Sequence, residues 1–220
     1  MKICKNCIQP NTRPQINFEN DICGACIWEQ EKQNIDWDQR EKELKEIVTW
    51  TKKTTTSNYD CVIGVSGGKD STKQAIIAKE NLGLRCLLVN CEPEGITNLG
   101  KDNIENLKNQ GFDVLSLRPN PKIMKKLIKR DFYKYLNPIK ITEYALWSSS
   151  YIVAEKFQIP LIIQGENPGL TVGTSLTGVG KDSDALKAYK LQTLSDGWKK
   201  YLNVEGVSEK DLLLFHYDVD

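Results

Sequence analysis

From Asp60 to Thr72 the chain runs from an apolar stretch into paired glycines and then into the pattern of a helix, which predicts a strand, a tight turn and a helix N-terminus. Such a turn can bind phosphate. Gly67 and Gly68 let the backbone approach an anion, and the free N–H groups of the first helical turn point at it. Gly64 and Val65 lead the strand into the loop, Ser66, Ser71 and Thr72 add hydroxyl donors, and Lys69 adds a mobile positive charge.

This is not the common nucleoside-triphosphatase loop. That motif needs a glycine where this chain has Ile63, and a Ser or Thr after the lysine, where Asp70 stands. The run Ser66 to Ser71 instead resembles the pyrophosphate loop of the ATP pyrophosphatases. The resemblance implies cleavage of ATP between its α and β phosphates, with AMP transferred to a substrate oxygen. The alternative is a glycine turn that only joins a strand to a helix. Six matching positions in a strand-turn-helix context weigh against it.

Four cysteines form a second constellation. Two residues separate Cys4 from Cys7, fifteen residues follow, and Cys23 and Cys26 repeat the spacing. Two tight turns, each carrying two thiolates, close a tetrahedral four-sulfur zinc site, and Gly24 suits such a turn. The intervening segment, with Asn11, Pro10 and Pro14, is too poor in apolar residues to fold unaided, so metal binding would supply its folding free energy. Four protein ligands leave no open position, which makes the zinc structural. Disulfides are the alternative in an oxidising compartment, and ligand type alone also admits an iron–sulfur cluster.

These residues need a frame. The 220 residues suffice for one α/β core with a small appendage, and the formal charge of +1 gives no field for gripping nucleic acid or an anionic membrane. No apolar run reaches membrane-spanning length and the first residues do not read as a signal peptide, so the expectation is a cytoplasmic protein with reduced thiols. A charged amphipathic helix is predicted over Asp36–Lys53. Strands over Cys61–Val65, Arg85–Cys91, Phe112–Leu117 and Pro160–Gln164 alternate with helices over Asp70–Leu82, Asn98–Gln110, Pro121–Tyr135 and the stretch from Pro138 to Phe157. That alternation predicts an α/β fold, a parallel sheet with helices on both faces. Ligands in such sheets sit at the carboxyl ends of the strands, which puts Ser66–Ser71, Asn90–Glu92 and Gly165–Asn167 on one rim. The expected division is a zinc knuckle over 1–34, a linking helix over 35–57, the ATP-binding α/β domain over 58–180 and a helical extension over 181–220.

Other features read as structural. Lys122, Lys125, Lys126, Lys129 and Arg130 share one face of a helix whose other face carries Met124, Leu127, Ile128 and Tyr135. A solvated face is the simpler reading, and a patch meeting a phosphate-bearing substrate or a protein partner is the functional one. Trp147 and Tyr151 stand one helical turn apart, as core residues do, and His216 is a lone histidine near the C-terminus.

The segment Ile159–Asn167 ends a strand in a carboxylate and an amide. Together with the cysteine pairs, the Ser66–Ser71 loop, the Glu143–Ala154 helix and Gly165 to Asn167, it resembles the N-acetyl sugar amidotransferase family, whose ATP-binding domain is adenine nucleotide α-hydrolase-like. The family serves bacterial surface-polysaccharide and nonulosonic-acid pathways, including O-antigen sugars. Its members are longer, so the resemblance implies a C-terminal part beyond Asp220. It also implies conversion of a sugar N-acetyl group to an acetamidino group, with ATP and Mg2+ at the loop and Zn2+ at the cysteines. Lys69 would stabilise the leaving pyrophosphate, Asp70 would hold magnesium, Glu166 would position or deprotonate the incoming nitrogen, and Asn167 would stand beside it in the site; bracing of the loop is the alternative for those two. Cys61 and Cys86 fall in strands, Cys91 at a strand end and His216 in a distant tail, so no thiol glutaminase is expected in this chain. Ammonia would come from a glutaminase partner with a cyclase-like companion. The rivals are a tRNA thiolase and a non-catalytic scaffold. A third Cys-x-x-Cys pair, an Arg-Arg pair and a basic surface, which the thiolase would need, are missing from the sequence.

Overall fold

The structure, a computed structural model, describes residues 1–12, 16–165 and 198–217; Glu166 and Asn167 lie outside the described residues. The chain divides into two compact units, whose described parts are 1–12 with 16–43, and 44–165 with 198–217. In the first unit, β1 (Phe18–Glu19) and β2 (Ile22–Cys23) pair antiparallel, and α1 (Gly24–Glu31) follows at once. Asn20 and Asp21 turn the hairpin at φ of 51° and 65°, a left-handed conformation that these two residue types tolerate best after glycine. Cys4 and Cys23 are the only buried apolar side chains among the described residues of this unit. A cored domain is not what holds it together.

The helix α2 (Trp37–Thr54) runs from the first unit into the second. It ends where the buried Thr51 donates its hydroxyl to the Asp60 carbonyl at 2.6 Å, which fixes the entry into the sheet. The second unit contains β3 (Cys61–Gly64), α3 (Lys69–Ile76) with a final π-helical turn over Ile77–Asn81, β4 (Cys86–Cys91), α4 (Asn98–Asn109), β5 (Asp113–Leu117), α5 (Pro121–Tyr135), α6 (Lys140–Lys156) and β6 (Leu161–Ile163). The four strands lie in the order β5-β4-β3-β6, all parallel. The predicted α/β class and its sheet are what the chain adopts. The helices following β3, β4 and β5 also start near the expected residues, because Gly83, Thr97, Gly111 and Pro121 punctuate the chain there.

Alternate side chains of β3 explain why the sheet is covered twice. Cys61, Ile63 and Val65 pack with Ala75, Ala78, Ile104 and Leu107 of α3 and α4, whereas Val62 packs with Leu87, Val153, Ala154 and Ile159 on the α6 side. A third cluster joins α5 and α6 to two short 3₁₀ turns, Lys199–Asn203 and Glu209–Leu212, through Leu127, Ile141, Tyr201, Leu212 and Phe215. Tyr151 stacks on Tyr217 at 4.1 Å and Trp198 on His216 at 3.9 Å, so the lone histidine is part of this packing. Of the apolar face expected of α5, Met124 and Leu127 are buried and Ile128 is half-buried, but Tyr135 is exposed, with Arg130 of the expected basic face near its ring.

Under that third cluster lies a charged group. Asp131 is fully buried, ion-paired with Arg130 at 2.7 Å and hydrogen-bonded by the Tyr201 hydroxyl at 2.6 Å. A buried carboxylate is costly unless its oxygens are filled, so both partners matter. The Tyr201→Phe variant should lower unfolding free energy by about 1–3 kcal/mol in urea titration, since it keeps the ring and removes one donor from the carboxylate. An unchanged midpoint would mean that Asp131 does not depend on that hydroxyl.

Candidate active site and metal centre

The loop between β3 and α3 is built by two kinds of constraint. Its own side chains close it: the Ser66 N–H donates to Ser71 Oγ at 3.3 Å, that hydroxyl donates to the Gly68 carbonyl at 3.3 Å, and the Gly68 N–H donates to Ser66 Oγ at 3.3 Å. The second constraint is tertiary. Gly67 has a φ of +75°, and a β-carbon on it would lie 2.8 Å from Cβ of Asn103 on α4. A β-carbon on Gly64 would lie 2.9 Å from Ser150 Oγ of α6. Two helices therefore close on the loop backbone, one from each side of the sheet, and only glycine leaves them room.

Gly68 starts α3 without any side chain capping it, so the first-turn N–H groups of Lys69, Asp70 and Ser71 face outward with the positive end of the helix behind them. Lys69 and Asp70 are both largely exposed and pair with each other at 2.8 Å, outside the core, and Thr72 is half-buried in the same turn. Val65 is buried and donates its N–H to the Val89 carbonyl at 2.8 Å, which ties the start of the loop to β4. Asn90, at the end of β4, is buried, and its amide reaches Ser116 Oγ at 3.5 Å.

Beside the loop is a cavity of about 440 Å³ at the carboxyl ends of β3 and β4. Val65, Ser66, Asn90, Glu92, Thr142 and Leu146 are among its walls. Gly100 belongs to the same lining, and a β-carbon there would lie 3.0 Å from Cγ1 of Ile96. The structure thus brings Ser66 together with Asn90 and Glu92. Gly165 follows β6, and a β-carbon there would sit 3.2 Å from Oε1 of Gln74 on α3. That oxygen is buried without a hydrogen-bond partner, a costly arrangement, close to Gly165 at the end of β6, the strand at which the order reverses across β3. Gln74 escapes a reading by motif because it is one polar residue on an otherwise ordinary helix; only its neighbour across the sheet singles it out. Glu166 and Asn167 come next in the chain, outside the described residues.

In the first unit the thiols of Cys4, Cys7, Cys23 and Cys26 all lie within 4.8 Å of one another. Tetrahedral four-sulfur zinc requires sulfurs about 3.8 Å apart, given zinc–sulfur bonds of about 2.3 Å, and Cys7 and Cys23 stand at 3.6 Å. The first pair lies on the expected bend. The second does not form a separate tight turn: Cys23 ends β2, and Gly24 and Cys26 already belong to the first turn of α1. The physical result is the same, since an opening helical turn also sets two side chains three apart on one face. Backbone N–H groups already point at sulfur, from Cys23 to Cys4 at 3.2 Å, from Asn6 to Cys4 at 3.4 Å and from Gln9 to Cys7 at 3.5 Å. Burial alone would raise the Cys4 thiol, yet the backbone donors of Cys23, Asn6 and Cys7 outweigh it and bring it down to about 6. Cys26 is pushed up to about 12 by burial and by its thiol neighbours. A set of four converging sulfurs with N–H donors suits a thiolate-bound metal such as zinc.

No protein-family profile and no curated protein matches the chain. Among solved structures it is similar to the NH3-dependent NAD synthetase of Campylobacter jejuni, at 18% identity and a TM-score of 0.49 over 78% of this chain and 75% of that one. It is similar also to the NMN synthetase of Francisella tularensis, at 18% identity and 0.43 over 77% and 79%. A third is a predicted subunit of tRNA methyltransferase from Methanocaldococcus jannaschii, at 22% and 0.38 over 60% and 63%. The fold assignment stands on the strand order of the chain itself.

For the metal centre, the expected result is one zinc per purified chain by elemental analysis, lost in the Cys23→Ser variant. Full metal content in that variant would remove Cys23 from the ligand set. At the loop, Gly67→Ala should remove anion binding at the Ser66–Ser71 turn, because the β-carbon meets Asn103 and the backbone sign is wrong for alanine. Calorimetric titration checks this, and wild-type affinity would show that α4 can give way.

Proposed function

We propose that this chain is an ATP pyrophosphatase that adenylylates a substrate oxygen, and that it serves as an N-acetyl sugar amidotransferase. One observation carries the proposal: an uncapped helix N-terminus with Lys69 at its mouth, held behind Ser66–Ser71 and opening beside a cavity at the ends of β3 and β4. The loop amides and Lys69 suit the β and γ phosphates, and the largely apolar cavity suits the nucleoside, with Asn90 as the polar group that orients it. Asp70 is the carboxylate that would hold magnesium once released from Lys69, and the ion would neutralise phosphate charge there.

In the reaction, the acetamido oxygen attacks the α-phosphorus, the bond from that phosphorus to the bridging oxygen breaks, and pyrophosphate departs into the loop. Ammonia then adds to the imidate carbon, AMP leaves with the former amide oxygen, and loss of a proton gives the amidine. Charge grows on the departing pyrophosphate, where the fixed N–H groups and Lys69 stabilise it without reorganising. Glu166 and Asn167 are assigned to the incoming nitrogen, in a cytoplasmic enzyme of surface-polysaccharide synthesis.

Ammonia from a glutaminase partner accords with the thiols of this chain. Cys61 and Cys86 are buried in adjacent strands, and burial pushes the Cys91 thiol up to about 11, opposite to what a thiolate nucleophile needs. The pure chain should therefore form AMP and amidine from ATP, an N-acetyl sugar or its nucleotide-linked form, and ammonium salts, and none from glutamine until a glutaminase is added. Lys69→Ala and Asp70→Ala should each lower AMP formation by about 10²–10³-fold with unchanged thermal melting. Product from glutamine alone would refute the partner, and pyrophosphate release triggered by tRNA in place of sugar would refute the substrate class.

A further inference from the structure

Four cations converge on one ring at a place the sequence pattern does not mark. The ring of Tyr135, at the end of α5, has Lys140 Nζ 4.0 Å from its centroid, with Arg130 and Lys134 at 5.7 Å and Lys200 at 5.8 Å. They come from α5, the first turn of α6 and the 3₁₀ turn at Lys199–Asn203. Arg130 and Lys200 also lie over the Tyr201 ring at 4.7 and 5.1 Å, and Lys200 donates to the Tyr144 hydroxyl at 3.2 Å. One of the four cations is balanced, since Arg130 is ion-paired with Asp131, which also acts on Lys200 through space. Asp131 is fully buried and already filled by Arg130 and Tyr201, and Glu143 acts on Lys140 only at a distance. Lys134, Lys140 and Lys200 form no ion pair among the described residues.

We propose that Arg130, Lys134, Lys140 and Lys200 around Tyr135 form a second anion site, separate from the Ser66–Ser71 loop, which takes the phosphate group of a small molecule. Lys134, Lys140 and Lys200 bring like charge to one ring, and partial burial of Arg130, Lys140 and Lys200 weakens the solvent screening around them. An anion seated among them gains charge-assisted hydrogen bonds. Two titrations agree with the geometry. Burial lowers the Lys200 ammonium, and Tyr135, which burial would raise, is drawn below its ordinary range by Lys200, Lys134 and Arg130. A small ligand fits better than nucleic acid, because the charges focus on one ring while the whole chain carries only +1. The site stands on its own residues and does not depend on the ATP reading. It shares the opening turns of α6 with the cavity beside the loop, since Thr142 lines that cavity two residues after Lys140.

The probe is inorganic pyrophosphate, titrated at constant ionic strength into chain carrying ζ-¹³C-labelled tyrosine. The Tyr135 resonance is assigned with Tyr135→Phe. The expected result is a saturable shift of that resonance, kept in Lys69→Ala and at least about tenfold weaker in a Lys134→Gln, Lys140→Gln, Lys200→Gln variant that melts normally. No shift, the same shift from matched sodium chloride, or full affinity in the triple variant would overturn the site. A single-stranded RNA that moves the resonance more tightly than pyrophosphate, with a steep salt dependence, would overturn the small-molecule assignment. Loss of the shift in Lys69→Ala alone would place the anion in the loop and end the proposal, while leaving the ATP reading intact.

Discussion

The close approach of two helices to the backbone at the end of β3 is the constraint on which the rest of the second unit depends. Asn103 of α4 and Ser150 of α6 occupy the space where side chains of Gly67 and Gly64 would be. Because α4 and α6 cover opposite faces of the sheet, the loop between them is gripped from both sides. A gripped loop keeps its N–H groups aimed outward before any anion arrives. Such preorganisation is what the proposed phosphate site would draw on, since fixed dipoles need not turn when charge appears. The same packing places Ser66 beside Asn90, because the tie between Val65 and Val89 sets where the loop leaves the sheet.

The two units hold together by different physics. The second buries three apolar clusters around a parallel sheet, and the hydrophobic effect suffices there. Among the described residues of the first, only Cys4 and Cys23 are buried apolar side chains, and salt bridges from Lys2 and Lys5 to Asp21 lie on an exposed surface. Exposed pairs of that kind contribute little. Besides backbone hydrogen bonds, four sulfurs there lie within reach of one ion, and a bound metal would couple its affinity to folding of this unit.

The C-terminal turns complete α5 and α6. Tyr201 fills the buried carboxylate of Asp131 from one side while Lys200, its neighbour in the chain, adds charge outside. One short segment thus satisfies a buried charge and adds a cation beside Tyr135, and Lys126 anchors the segment through the Glu205 and Gly206 carbonyls at 3.2 Å.

Local pattern determined a good part of this molecule. The continuous apolar run of β3, the glycine break after it, the Gly and Pro stops between elements and the paired Cys-x-x-Cys spacing are short-range properties, legible because backbone sterics and side-chain character act within a few residues. They were enough for the sheet, its helices, the loop and the thiol cluster. Tertiary packing decided which helix leans on which glycine, that the unpartnered oxygen of Gln74 faces Gly165, that His216 stacks on Trp198, and that Lys200 meets Tyr135 across 65 positions of chain. Such contacts join residues that no spacing relates. Their geometry comes from how whole faces fill space against one another, and a linear pattern does not carry that information.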